Sequence, residues 1–149
     1  FIRNFKFGKK KYEFYPYDKH FKQDINLAIG DVNGDGINEI ITGAGSGGGP
    51  HVRIFDYRGN LISQFFAYEK TFRGGISVAV GDVNGDGINE IITGAIQNGD
   101  SEIKMFNENL EQIKNFFAYP KNNNKKIYIS ISDIDKDNIE EILISTTDF

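Results

Sequence analysis

Asp31, Asn33, Asp35 and Glu39 place side-chain oxygens at alternate positions and at the close of one nine-residue stretch, Asp31-Val-Asn-Gly-Asp-Gly-Ile-Asn-Glu39, with Gly36 at its sixth place. Oxygens at alternate positions around a sharp turn suit a hard divalent cation. Calcium fits best, because it takes about six to eight oxygen ligands in a flexible shell, whereas magnesium dehydrates reluctantly and seldom accepts an all-protein cage. The backbone carbonyl of Ile37 would complete the set, and glycine is the residue that reaches φ > 0 cheaply at the bend. The stretch recurs with Asp82, Asn84, Asp86 and Glu90, and in looser form with Asp133, Asp135, Asp137 and Glu141. In the third copy Asn138 takes the place of glycine, a substitution the left-handed region tolerates. An EF-hand would need an acid at the twelfth position, where Thr42, Thr93 and Ile144 stand, and a helix on each side. The flanking residues instead read as strands, so each loop is expected to join two β-strands. Asx-Gly turns are also ordinary hairpin chemistry that needs no ion. Crowding acids this closely at three sites is costly without a cation to offset their repulsion.

The loops are spaced 51 residues apart (82 − 31 and 133 − 82), and the elements that hold them repeat with the same step. Gly30–Ala44 and Gly81–Ala95 are identical over fifteen residues, and the clusters beginning at Phe14, Phe65 and Phe116 keep the interval. A fixed period of this length indicates a propeller or solenoid array. Ile76–Val80 and Glu90–Thr93 flank one loop as short β-branched runs. His51–Phe55 alternates with period two, and Leu61–Phe66 follows the turn signal Arg58-Gly59-Asn60. Four short strands per period and no sustained helical periodicity predict an all-β fold of four-stranded antiparallel propeller blades. The expected division is a half-blade of third and fourth strands at 1–25, blades at 26–75 and 76–126, and a half-blade of first and second strands at 127–149.

Composition narrows the classes further. The 149 residues contain no cysteine, which excludes a disulfide framework and cysteine-ligated zinc. The net charge of −4 is concentrated in the loops, and three calcium ions (+6) would bring it to +2, so no nucleic-acid-binding field is expected. No apolar run is long enough to insert in a membrane. No signal peptide is visible, and a first residue of Phe points to a processed chain or an excerpt. Lys9–Lys11 is expected to be the solvated tip of a hairpin.

The loop pattern D-x-[DN]-x-D-G-x-x-E, followed by a strand and by Gly43-Ala-Gly-Ser-Gly-Gly-Gly-Pro-His51, resembles the FG-GAP/VCBS repeats of calcium-binding β-propellers such as integrin α-subunit heads. The resemblance covers the whole chain. It implies calcium ligands at Asp31, Asn33, Asp35, the Ile37 carbonyl and Glu39; at Asp82, Asn84, Asp86, the Ile88 carbonyl and Glu90; and at Asp133, Asp135, Asp137, the Ile139 carbonyl and Glu141. The glycine-rich segment persists only in the first full blade and becomes Ile96–Ser101 in the second.

Other strings carry less. Gly43-x-Gly45-x-x-Gly48 matches a dinucleotide fingerprint, but Pro50 and a strand follow where a helix is required. His20 and His51 do not recur between repeats and lie in no hydrolase-like string. The aromatic clusters suit packing between blades, with sugar stacking through Tyr68 or Tyr119 as the alternative. The expectation is a non-catalytic, calcium-stabilised interaction or adhesion module of a secreted or cell-surface protein, with a protein or glycan ligand. A carbohydrate-binding propeller is the alternative. Two copies would complete a six-bladed ring by pairing residues 1–17 of one with residues 127–146 of the other; otherwise neighbouring blades of a longer chain would complete it.

Overall fold

The computed structural model describes residues 1–98, 100–121 and 126–147. Every element in them is a strand: β1 (Ile2–Lys6), β2 (Lys9–Phe14), β3 (Ile25–Gly30), β4 (Glu39–Ala44), β5 (His51–Phe55), β6 (Leu61–Phe66), β7 (Ile76–Gly81), β8 (Glu90–Ala95), β9 (Glu102–Phe106), β10 (Gln112–Phe117), β11 (Lys126–Ser132) and β12 (Glu141–Thr147). They form two four-stranded antiparallel meanders, β3-β4-β5-β6 and β7-β8-β9-β10, and two two-stranded sheets, β1-β2 and β11-β12. These are propeller blades and part-blades, and no ring closes among the described residues.

Corresponding strands keep one register. Gly30 pairs with Glu39 and Gly81 with Glu90, which places each acidic loop at the end of the first two strands of its sheet. Ser132 pairs with Glu141 in the third copy. Ile2 opposes Phe14 as Val52 opposes Phe65, so β1-β2 is the outer hairpin of a blade, bulge included. One detail departs from the sequence reading. Lys9–Lys11 are not the hairpin tip but exposed residues of β2; the tip is Phe7-Gly8, both left-handed (φ 49° and 75°). A tight two-residue connection lets the strand begin directly after the glycine.

The sheets pack face to face, and the core lies between them. Ile41 and Val52 of one blade meet Ile76, Val78 and Ile91 of the next. Ile92 and Ile103 meet Ile127 and its neighbours on β11, while Ile2 and Phe14 pack on Ile40 and Phe55. Strands β4 and β8 are buried throughout, which is why Glu-Ile-Ile-Thr-Gly-Ala shows no alternation. Their glycines permit the approach of the next sheet: a Cβ on Gly43 would lie 2.9 Å from the Ile76 carbonyl oxygen, and one on Gly94 would lie 2.7 Å from Ile129. At the corresponding place β12 carries Ser145, and no further sheet follows it among the described residues.

Tyrosines after the outer strands fasten each sheet to the next. Tyr17 donates to the His51 carbonyl (2.8 Å) and accepts from the Thr42 hydroxyl (3.2 Å). Tyr68 donates to the Glu102 carbonyl (2.7 Å). Burial pushes the Tyr17 phenol up to about 12, so it stays a neutral donor. Tyr68 thus spends its hydroxyl on the neighbouring blade.

Candidate metal centres

Each acidic loop connects the first and second strands of a sheet, and its leading aspartate organises the turn. Asp31 Oδ1 accepts the amide of Gly34 (2.7 Å), and Oδ2 accepts that of Gly36 (2.7 Å). Asn33 Oδ1 accepts from Asp35 N (2.9 Å), and Asp35 Oδ1 from Ile37 N (2.8 Å). The second loop repeats this, with Asp82 accepting from Gly85 and Gly87 at 2.7 and 2.8 Å. Asp86 N reaches Asn84 Oδ1, and Ile88 N reaches Asp86 Oδ1, both at 2.8 Å. In the third, Asp133 accepts from Lys136 and Asn138, Asp135 from Asp137, and Asp137 from Ile139.

The bend requires two left-handed residues per loop. Gly36 (φ 83°), Gly87 (φ 88°) and Asn138 (φ 70°) occupy the position marked in the sequence. Gly34 (φ 76°), Gly85 (φ 78°) and Lys136 (φ 66°) form a second bend two residues earlier. Sequence reasoning missed this one, although glycine in two of three copies was a usable signal.

The closing glutamate comes in from the next strand. Glu39 is 3% exposed and Glu90 is 2% exposed. Each accepts one amide, from Val32 or Val83 (both 3.1 Å), and one side-chain N–H, from Asn33 (3.4 Å) or Asn84 (2.6 Å). Burial pushes both carboxyls up, with Asp35 and Asp31 adding to the effect at Glu39 and Asp86 and Asp82 adding to it at Glu90, which reaches about 7. Asp31 moves the other way, held below the usual carboxylate range chiefly by the Gly36 amide. A buried acid surrounded by further acids is the arrangement a cation relieves.

The third loop brings the carboxylates closest together: oxygens of Asp133, Asp135 and Glu141 lie within 4.8 Å of one another. Asp135 stands where the other loops have asparagine, so the loop that departs most from the pattern in sequence is the one in which three acids converge. Glu141 is also anchored by the Ile134 amide (2.7 Å). Twelve of the fifteen candidate positions fall on these three turns, and the three glutamates open the strands that follow them. The amides of Ile37, Ile88 and Ile139 are engaged within the turns, which sets the direction of the peptide at each.

One participant was not marked in the sequence. Glu140 accepts the Asp82 amide (2.8 Å) and donates its own amide to the Asp82 carbonyl (2.9 Å), tying the third loop to the second. Asn38 and Asn89 occupy this position in the other copies, so the change to an acid was the available clue.

Fold and loops together define a repeat protein of β-propeller blades. Residues 31–93 match the FG-GAP-like repeat family. The chain is also 34% identical over 97 residues to integrin alpha pat-2 of Caenorhabditis elegans, and 32% identical over 97 residues to the Caenorhabditis briggsae protein of the same name. Each match covers 61% of this chain and 7% of the relative. Among the described residues no helix is long and apolar enough to cross a membrane.

Proposed function

We propose that this chain is a calcium-stabilised, non-catalytic interaction module of adhesion type, from a secreted or cell-surface protein. The observation that carries this reading is the burial of Glu39 and Glu90 beside paired loop acids, with the converging acids of the third loop alongside. The donor set is all oxygen and suits a hard cation. Asp31, Asn33, Asp35 and Glu39 would hold the first ion with the Ile37 carbonyl, and Asp82, Asn84, Asp86 and Glu90 the second with that of Ile88. Asp133, Asp135, Asp137 and Glu141 would hold the third with that of Ile139. When bound, calcium supplies charge neutralisation and a fixed link between the first two strands of a blade. The residues around it set the turn and shield the glutamate from water. The integrin relatives support an extracellular setting and an adhesive role.

The test is thermal unfolding in millimolar calcium and in chelator. A ligand at 100 times its Kd that binds only the folded state adds about 2.7 kcal/mol per site. Identical melts would refute the metal reading.

Self-association to complete the propeller is supported by a second observation. Strand β7 lies between β3 and β11, but among the described residues no strand packs on the other side of β3 in the same way. Leu27 and Ile29 on β3 are 50% and 66% exposed there, and with Ile2, Phe5 and Ile40 they line an apolar cavity of about 390 Å³ beside the unpaired edge of β1. An inner hairpin like β11-β12 has the shape and pairing edge to fill that space, and a second copy would bring one. Light scattering in calcium checks this: twice the 16.8 kDa chain mass is expected, and a monomer would assign the space to other blades.

A further inference from the structure

On the opposite ends of the strands from the acidic loops, two open cavities lie between adjoining sheets, at equivalent places in the repeat. The first, about 450 Å³, is lined by Tyr17, His51, Arg53, Phe66, Lys70 and Arg73 among others. The second, about 280 Å³, is lined by the counterparts Tyr68, Glu102, Lys104 and Phe117, together with Glu69 and Asp100. The backbone scaffold is shared, but the charge is reversed. In the second cavity Lys104 is neutralised in place, 3.9 Å from Glu102, with its ammonium over the Tyr68 ring. In the first, none of the ion pairs among the described residues involves Arg53, Lys70 or Arg73, and the one acid, Asp18, is turned to His20.

The cations of the first cavity are held in position. Arg53 donates to the Pro16 carbonyl (2.7 Å) and to Gln64 (3.0 Å), and Arg73 to the carbonyls of Lys70 and Phe72 (2.6 and 2.7 Å). Lys70 lies over Phe66, whose ring stacks on His51 at 4.8 Å. Gly49 keeps the floor open, since a Cβ there would meet only Arg73 at 3.9 Å; the second repeat has Asp100 at this position. Three uncompensated cations facing one cup, with an aromatic wall, favour an anion carried on a compact ring. Strand β5, which carries His51 and Arg53, is paired on both sides, by β4 and β6, so the strand beneath the cations offers no free edge to which a peptide could add.

We propose that this cavity is a binding site for an acidic saccharide, with a ring-borne carboxylate engaged by Lys70, Arg73 and Arg53 and the sugar face against Phe66 and His51. This site is separate from the metal loops, and its test is run in millimolar calcium, with circular dichroism confirming the fold of each protein. Titration calorimetry with trigalacturonate is compared with its methyl ester and with an acidic tetrapeptide, for the full chain and for Lys70→Glu, Gly49→Asp and, as a control outside the first cavity, Lys121→Glu, whose ammonium lies 4.5 Å over the ring of Phe117. Trigalacturonate is expected to bind and its methyl ester not to bind. Affinity should fall roughly tenfold or more in Lys70→Glu and Gly49→Asp, as expected for loss of a charge-assisted contact, and stay unchanged in Lys121→Glu. Absence of trigalacturonate binding, equal binding of the ester, or equal affinity in Lys70→Glu would overturn the proposal. So would tighter binding of the tetrapeptide, which would make the site one for acidic peptides.

Discussion

Replacing Glu90 by glutamine separates the cost of the buried acid from its use. The side chain is 2% exposed and its carboxyl is pushed from 4.5 to about 7 by burial and by Asp86 and Asp82. At about 1.4 kcal/mol per pKa unit, holding it ionised in the metal-free fold at mildly alkaline pH costs at most about 3 kcal/mol. Glutamine keeps the shape and removes that cost. Its amide cannot accept both the Val83 amide and the Asn84 side chain, so one hydrogen bond is lost, about 1 kcal/mol. The net expectation in chelator is a gain of about 2 kcal/mol, or roughly 4–8 °C in melting temperature for a chain of this size. In millimolar calcium the order should reverse, because the variant has lost a charged ligand and with it most of that site's share of calcium stabilisation. Calorimetric melts of both proteins in both buffers supply the four numbers needed. A variant less stable than wild type in chelator, with an undiminished calcium increment, would refute the assignment of Glu90 as a metal ligand.

Further outcomes follow from the same loops. In metal-free buffer, the raised carboxyls of Glu90 and Glu39 mean that the folded state binds more protons than the unfolded chain. The contribution of Glu90 is present below pH 4.5 and is lost as pH rises towards about 7, and that of Glu39 is lost in the same direction. Asp31, with its carboxyl lowered, acts oppositely and stabilises only above the usual aspartate range. Melts across pH should therefore show metal-free stability declining from mildly acidic to neutral pH, and calcium should flatten or invert that slope. Lys136→Gly removes a left-handed, β-carbon-bearing residue at φ 66°, where the sister loops have glycine. A gain of about 0.5–1 kcal/mol is expected after the extra chain entropy of glycine is offset, read as a small rise in melting temperature.

Much of this protein was legible in its sequence because the repeat is a local code. The 51-residue step fixed the number of blades and part-blades, the β-branched runs marked strands, and the Asp-Asn-Asp-Gly spacing located the turns. Gly36 and Asn138 could be assigned left-handed conformations from their places in the loop alone, since the constraint is steric and involves no distant residue. Lys9–Lys11 could not be placed, because the tip at Phe7-Gly8 depends on the register that β1 adopts with β2. Other features arise only when sheets face one another. The burial that raises Glu90 is one, and so is the link from Glu140 to Asp82, which spans 58 residues. The two cavities show it most clearly: His51, Arg53, Lys70 and Arg73 are scattered polar residues in the chain, and packing of the Tyr17 segment against β5 and β6 turns them towards one space. Spacing along a chain specifies local turns and strand order, whereas net charge within a cavity is set by side chains from several segments, which only the packing of blades brings together.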